Sequence, residues 1–170
     1  MSDKKEIQAF FERANVLPSG ERAALRRSAG KRYENAGGMA IASFMRIMSR
    51  GVQVYEEDIW FAVVCCSCIW QKPKQGAPFE RALKVLEGDG IKRRLASILD
   101  ENWNEDSLLY LKLYRLMKML ERKGVCPDFN QLLSDLLAWN HPERYVQKRW
   151  AREYFGGADL NNDNNKEEEN

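Results

Sequence analysis

The chain has 170 residues, 44% of them hydrophobic and 31% charged, with a formal net charge of +2 at pH 7. That length suits one domain, or two small lobes sharing a core, of ordinary globular composition. No apolar run approaches the roughly 18 residues of a membrane span, and the N-terminus lacks a signal peptide's apolar stretch, so a cytosolic protein is expected.

Helical periods dominate, and nothing shows the sustained alternation of strands. Ser2 is placed to cap a first helix reaching Asn15, with Ile7, Phe10, Phe11 and Ala14 inward. Pro18-Ser19-Gly20 breaks the chain before a second helix over 21–29, and 30–38 is Gly- and charge-rich and reads as a loop. A third helix over 39–50 carries Ile41, Phe44, Met45 and Met48. Glu56-Glu57-Asp58 opens a long helix to Gln71 on the acidic side that the helix dipole favours. This helix is apolar nearly all round, which predicts a central, buried position.

Residues 72–78 form a polar linker with two prolines, and Pro78 is suited to open the next helix, which runs to Glu87. Gly88-Asp89-Gly90 reads as a turn. A short helix over 91–99 turns Ile91, Leu95, Ile98 and Leu99 inward, with Lys92-Arg93-Arg94 in its first turn, where cations oppose the dipole. Three more helices follow. In the first, Leu109, Leu113, Leu116 and Leu120 share a face, while Lys112, Arg115, Lys118 and Arg122 gather on another. Gly124 ends it, Asp128 caps the second, and His141-Pro142 separates the second from the third. In the third, Val146, Trp150 and Tyr154 make an apolar stripe. Arg144, Lys148 and Arg152 repeat nearly opposite, with Arg149 alongside. The expected fold class is all-α: an elongated bundle of about nine helices, 1–157, in two lobes (1–71 and 79–157) joined by 72–78.

Charge is unevenly distributed. The Asn- and acid-rich segment 158–170 holds five acids and one base, and the remaining body carries +6. With Leu160 as its one hydrophobe, that tail has too little apolar surface to order itself, so a disordered acidic tail is expected. The four cysteines, Cys65, Cys66, Cys68 and Cys126, accompany a single histidine, His141. They lack the separated ligand pairs of structural zinc and read as small hydrophobes. No metal or cofactor is expected. There is no phosphate loop and no nucleophile elbow, and the acids Asp100, Glu101, Glu105 and Asp106 around Trp103 read as helix-end charges, so an enzyme is not expected. What remains is cations on several helices, suited to a polyanion and to phosphate contacts that do not read bases. Trp103, in a loop, is the one tryptophan placed for stacking on a base.

The run 125–139 (VCPDFNQLLSDLLAW), followed by HPER at 141–144 and VQKRWAR at 146–152, closely resembles the C-terminal signature of the CasB family. GERAALRR at 20–27, FERAL at 79–83 and IKRRL at 91–95 resemble the same family in the same order, so the likeness covers about 10–155. That family is the small subunit of the type I-E CRISPR surveillance complex, Cascade. The resemblance implies a non-catalytic subunit that contacts crRNA and target DNA, touches the backbone and large subunits, and lies beside a second copy of itself. There it would support the guide–target heteroduplex and the displaced strand of the R-loop. The positions matching the family's basic residues are Arg26, Arg27, Arg94, Arg115, Lys148, Arg149 and Arg152. Where the family often has two adjacent arginines, this chain has Tyr114-Arg115. The alternatives are an all-helical protein–protein adaptor with merely solvated basic faces and an independent DNA-binding regulator. The regulator lacks a helix-turn-helix signal.

Overall fold

The computed structural model describes residues 3–73 and 76–156; the predicted tail and the Ser2 cap lie outside them. Nine α-helices follow one another among the described residues: α1 Lys4–Asn15, α2 Ser19–Ser28, α3 Gly38–Ile47, α4 Glu57–Ser67, α5 Phe79–Ala82, α6 Asp89–Leu99, α7 Leu109–Arg122, α8 Phe129–Leu137 and α9 Tyr145–Phe155. No strand occurs among the described residues. One isolated parallel bridge, Ala77 to Pro127, joins the segment before α5 to the start of α8.

Local chemistry sets most of the ends. Asp3 caps α1, its carboxylate accepting from the Lys5 amide at 3.4 Å. Asp128 caps α8 by accepting from the Gln131 amide at 3.1 Å. Gly124, at φ +70°, closes α7, and the Val125 amide returns to the Leu120 carbonyl at 3.1 Å. Helix α3 stops at Ile47, where Arg13 donates to the Ile47 carbonyl at 2.8 Å and to Ser49 Oγ at 2.7 Å.

Four elements depart from the sequence reading. In α3 the inward face is Ala40, Ser43, Phe44 and Ile47, while Ile41 and Met45 are 36% and 44% exposed. The large side chains set the wrong phase there, because small Ala40 and Ser43 are what let α3 lie against its neighbours α1 and α2. Helix α4 ends at Ser67 rather than Gln71, where the Ser67 hydroxyl takes the Val64 carbonyl at 2.7 Å in competition with the backbone. The expected helix over 78–87 is one α-turn, α5, followed by a 3-10 turn over Leu83–Val85, because Leu86 leaves helical geometry to bury itself. Gly88, at φ +109°, makes the whole turn, so Asp89 and Gly90 already belong to α6. Arg93 and Arg94 therefore stand beyond the first turn, and of the three cations only Lys92 remains at its end to oppose the helix dipole.

The buried hydrophobics form one cluster that runs from Ile7 in α1 to Trp150 in α9. Helix α4 is at its centre, with every residue from Ile59 to Ser67 buried and α2, α7 and α8 packed around it. Phe10 meets Trp60 edge-on at 4.8 Å, and Trp150 stands 5.0 Å from Trp139 and 5.1 Å from Phe79. Each aromatic pair adds about 0.5–1.5 kcal/mol beyond its buried area.

Candidate nucleic-acid interface

Helices α6 and α7 pack against each other with their apolar stripes inward: Ile91, Leu95 and Ile98 on one, Leu109, Leu113 and Leu116 on the other. Their outer edges then face a shared open groove of about 300 Å³, lined by Arg93, Arg94, Ser97, Lys112 and Arg115. The structure thus brings together two of the predicted cations, Arg94 and Arg115, from helices about twenty residues apart in sequence. Both are exposed, as is Arg93, and none of the three has an ion-pair partner among the described residues. Lys112 differs. Its ammonium donates to Ser97 Oγ at 2.8 Å and to Glu101 Oε1. That bond holds the Glu101 carboxyl below its ordinary value.

Arg26 and Arg27 are exposed on α2, away from buried Ala24, Leu25 and Ser28, and likewise unpaired among the described residues. The chain just past α2 meets α7 at Gly30, which lies against the Tyr114 ring. Lys148 and Arg152 are exposed on α9, which packs on α5, and they do not line the α6–α7 groove.

Arg149 is turned inward. Its guanidinium pairs with Asp135 and lies 3.7 Å from Glu80, both carboxylates being nearly fully buried. Asp135 also accepts from Trp150 Nε1 and from Gln131 Nε2, each at 2.8 Å. Arg149 therefore fastens α9 to α5 and α8. Arg32, beside Lys31 in a basic pair of the sequence, is also structural: it bonds Asp58 at 2.9 Å and lies 5.2 Å from the centre of the Tyr110 ring. Sequence periodicity gave no sign of either role, since the acids concerned lie on distant elements. Ser97 carried no sequence signal, and only the packing of α6 on α7 reveals it.

Trp103, the residue placed for stacking, is half-buried against the core and held by Asn140, which accepts from its amide at 2.7 Å and donates to its carbonyl at 2.6 Å. No group of His, Cys, Asp or Glu among the described residues could hold a metal ion. Cys65, Cys66 and Cys68 are buried, and burial, with Cys68 beside it, pushes the Cys66 thiol up to about 12. No helix of the described residues is long and apolar enough to cross a membrane.

Residues 21–155 match the family model described as CRISPR-associated protein Cse2. The chain belongs to this family. A Cse2 protein of Thermus thermophilus is 35% identical over 96 residues, which cover 55% of this chain and 53% of that relative's length. The crystal structure of CasB from Thermus thermophilus superposes with a TM-score of 0.76 at 25% identity, over 92% of this chain and all of that one. A chain of a CRISPR RNA-guided surveillance complex shares the fold, with a TM-score of 0.73 at 24% identity, over 96% of this chain and 99% of its own. The Cse2 match contains the candidate phosphate-contact cations from Arg26 to Arg152 and leaves α1 outside it.

Proposed function

We propose that this Cse2-family chain is a non-catalytic subunit of a crRNA-guided surveillance complex of the Cascade type. On this proposal it grips the phosphate backbones of the guide–target heteroduplex and the displaced strand without reading bases. The observation that carries it is the α6–α7 groove, where Arg93, Arg94 and Arg115 stand open and unpaired in a Cse2 fold. Three exposed guanidiniums at one groove act on phosphate oxygens by charge and forked donors. Arg26, Arg27, Lys148 and Arg152 extend the same contact on α2 and α9, and Arg149 serves it indirectly by fixing the seat of α9. The partners are crRNA, target DNA, the backbone and large subunits and a second copy of the chain. The division into lobes 1–71 and 79–157 belongs to the same proposal.

Ile41 and Met45, one turn apart on α3 and 36% and 44% exposed, make a small outward apolar pair that favours a protein contact as well. That surface supports the adaptor reading and is compatible with a subunit of an assembly.

The test is target-DNA binding by the reconstituted complex carrying R94E, R115E and R152E, with incorporation of the subunit measured in parallel. Normal incorporation with a weakened R-loop supports the proposal. Normal incorporation with an R-loop as stable as wild type leaves the adaptor reading in its place.

A further inference from the structure

The α6–α7 groove contains four cations, but one is already engaged. The Lys112 ammonium has three protons. They face Ser97 Oγ at 2.8 Å, the Ser97 carbonyl at 3.5 Å and Glu101 Oε1. The two short contacts, to Ser97 Oγ and Glu101, hold the ammonium within the protein. Glu101 is not a loose acid on the rim. Its other carboxylate oxygen accepts from Ser107 Oγ at 3.2 Å, and its backbone carbonyl accepts from the indole of buried Trp139 at 2.8 Å. The Lys112 and Glu101 side chains are only 27% and 23% exposed. Such a partly desolvated pair is screened less than a pair in open water. The groove arginines, by contrast, are exposed.

We propose that Glu101 sets the grip of this groove on a nucleic-acid backbone by engaging the Lys112 ammonium at its wall, so that the groove offers three free phosphate contacts rather than four. The inference rests on the nucleic-acid reading given above. A phosphate oxygen placed between Arg94 and Arg115 competes with the Glu101 carboxylate for the same ammonium, so the pair acts as an internal competitor for the ligand. The consequence is deliberate weakness. Each phosphate neutralised contributes to affinity through counterion release, and a groove short of one contact holds free nucleic acid less tightly.

The experiment uses the full chain and a fluorescent oligo(dT) strand, with binding read by anisotropy over a salt series. E101Q keeps the shape of the side chain and its acceptor for Ser107 while removing the charge, and E101A is the second variant should the first rearrange. Both are expected to bind roughly three- to tenfold more tightly at low salt, with a log–log salt slope steeper by about 0.7, one single-strand phosphate. Adding K112A to E101Q should return affinity and slope to wild-type values. The arm R94E/R115E separates the two layers of the inference. If it weakens binding while E101Q and E101A leave affinity and slope unchanged, the role of Glu101 is overturned and the groove stands. If R94E/R115E binds as wild type does, the nucleic-acid reading fails with it.

Discussion

The Tyr114 ring lies so close over Gly30 that a Cβ at residue 30 would stand 2.6 Å from Cδ1 and 2.9 Å from Cγ. Gly30 is also at φ +80°, a conformation L side chains rarely adopt. Tyr114 thus serves as packing between the end of α2 and α7. Gly30→Ala should destabilise the chain by about 1–3 kcal/mol, from strain and displacement of the ring together. Thermal unfolding of Gly30→Ala, Tyr114→Ala and the double variant separates the two: the double should recover the steric part and keep the backbone part. A Gly30→Ala chain that melts like wild type would contradict both.

Two ion pairs on α9 should behave differently. Asp135 is 3% exposed and receives Arg149, Trp150 Nε1 and Gln131 Nε2. Asp135→Asn leaves the guanidinium only the longer 3.7 Å pair with Glu80 and turns an amide against donors, which should destabilise by about 2–4 kcal/mol. Arg81 bonds Glu153 at 2.9 Å across α5 and α9, but in water, and Arg81→Ala should leave the melting temperature nearly unchanged. Denaturant titration of both variants decides it, and equal effects would refute the distinction.

Glu80 gives stability a pH dependence of unusual sign. Its side chain is nearly fully buried, Oε2 has no hydrogen-bond partner, and burial pushes its carboxyl up, with a bond from its own backbone amide and the Arg149 charge opposing and Asp135 and Glu153 adding. The folded chain keeps this proton at pH values where the unfolded chain has released it. The contribution is therefore full below the ordinary carboxylate range and is lost as pH rises through the folded value. Glu80→Gln should be more stable than wild type at neutral pH, and the advantage should shrink on acidification. Melting temperatures of the two proteins from about pH 4 to 8 test this, and a variant less stable at neutral pH would show that Arg149 needs the Glu80 charge.

The thiols of Cys65, Cys66 and Cys68 should resist modification at neutral pH. All three are buried, and burial raises each of them, so the reactive thiolate is scarce and out of reach. A thiol-reactive dye should label them only as fast as the chain unfolds. Rapid labelling under native conditions would place at least one in a mobile surface element.

Much of the fold was legible because it is governed by nearest neighbours in sequence. Asp128 and Gly124 mark helix ends by chemistry confined to a few residues, and the all-apolar α4 announced its central position. The phase of α3 was not legible, because Ala40 and Ser43 bury themselves for their smallness rather than their hydrophobicity. Within the site, exposed cations such as Arg94 and Arg115 followed from facing away from leucine and isoleucine stripes. The internal engagement of Arg149, Arg32 and Lys112 did not. It depends on Asp135, Asp58 and Glu101, which only the tertiary fold brings within reach.

The position of α4 has a consequence for how the chain is made. Ala62, Val63 and Cys66 on α4 rest against Leu113 and Met117 of α7 and Leu132 and Leu136 of α8, leaving almost no space between them. As the polypeptide leaves the ribosome, α4 emerges some forty residues ahead of α7 and some sixty ahead of α8. For that interval this face of α4 lacks both of the helices that cover it. Synthesis halted after residue 71 would leave a nascent fragment that needs a chaperone or aggregates. Productive folding must wait for the C-terminal helices, so this subunit is born nearly whole before it is born stable.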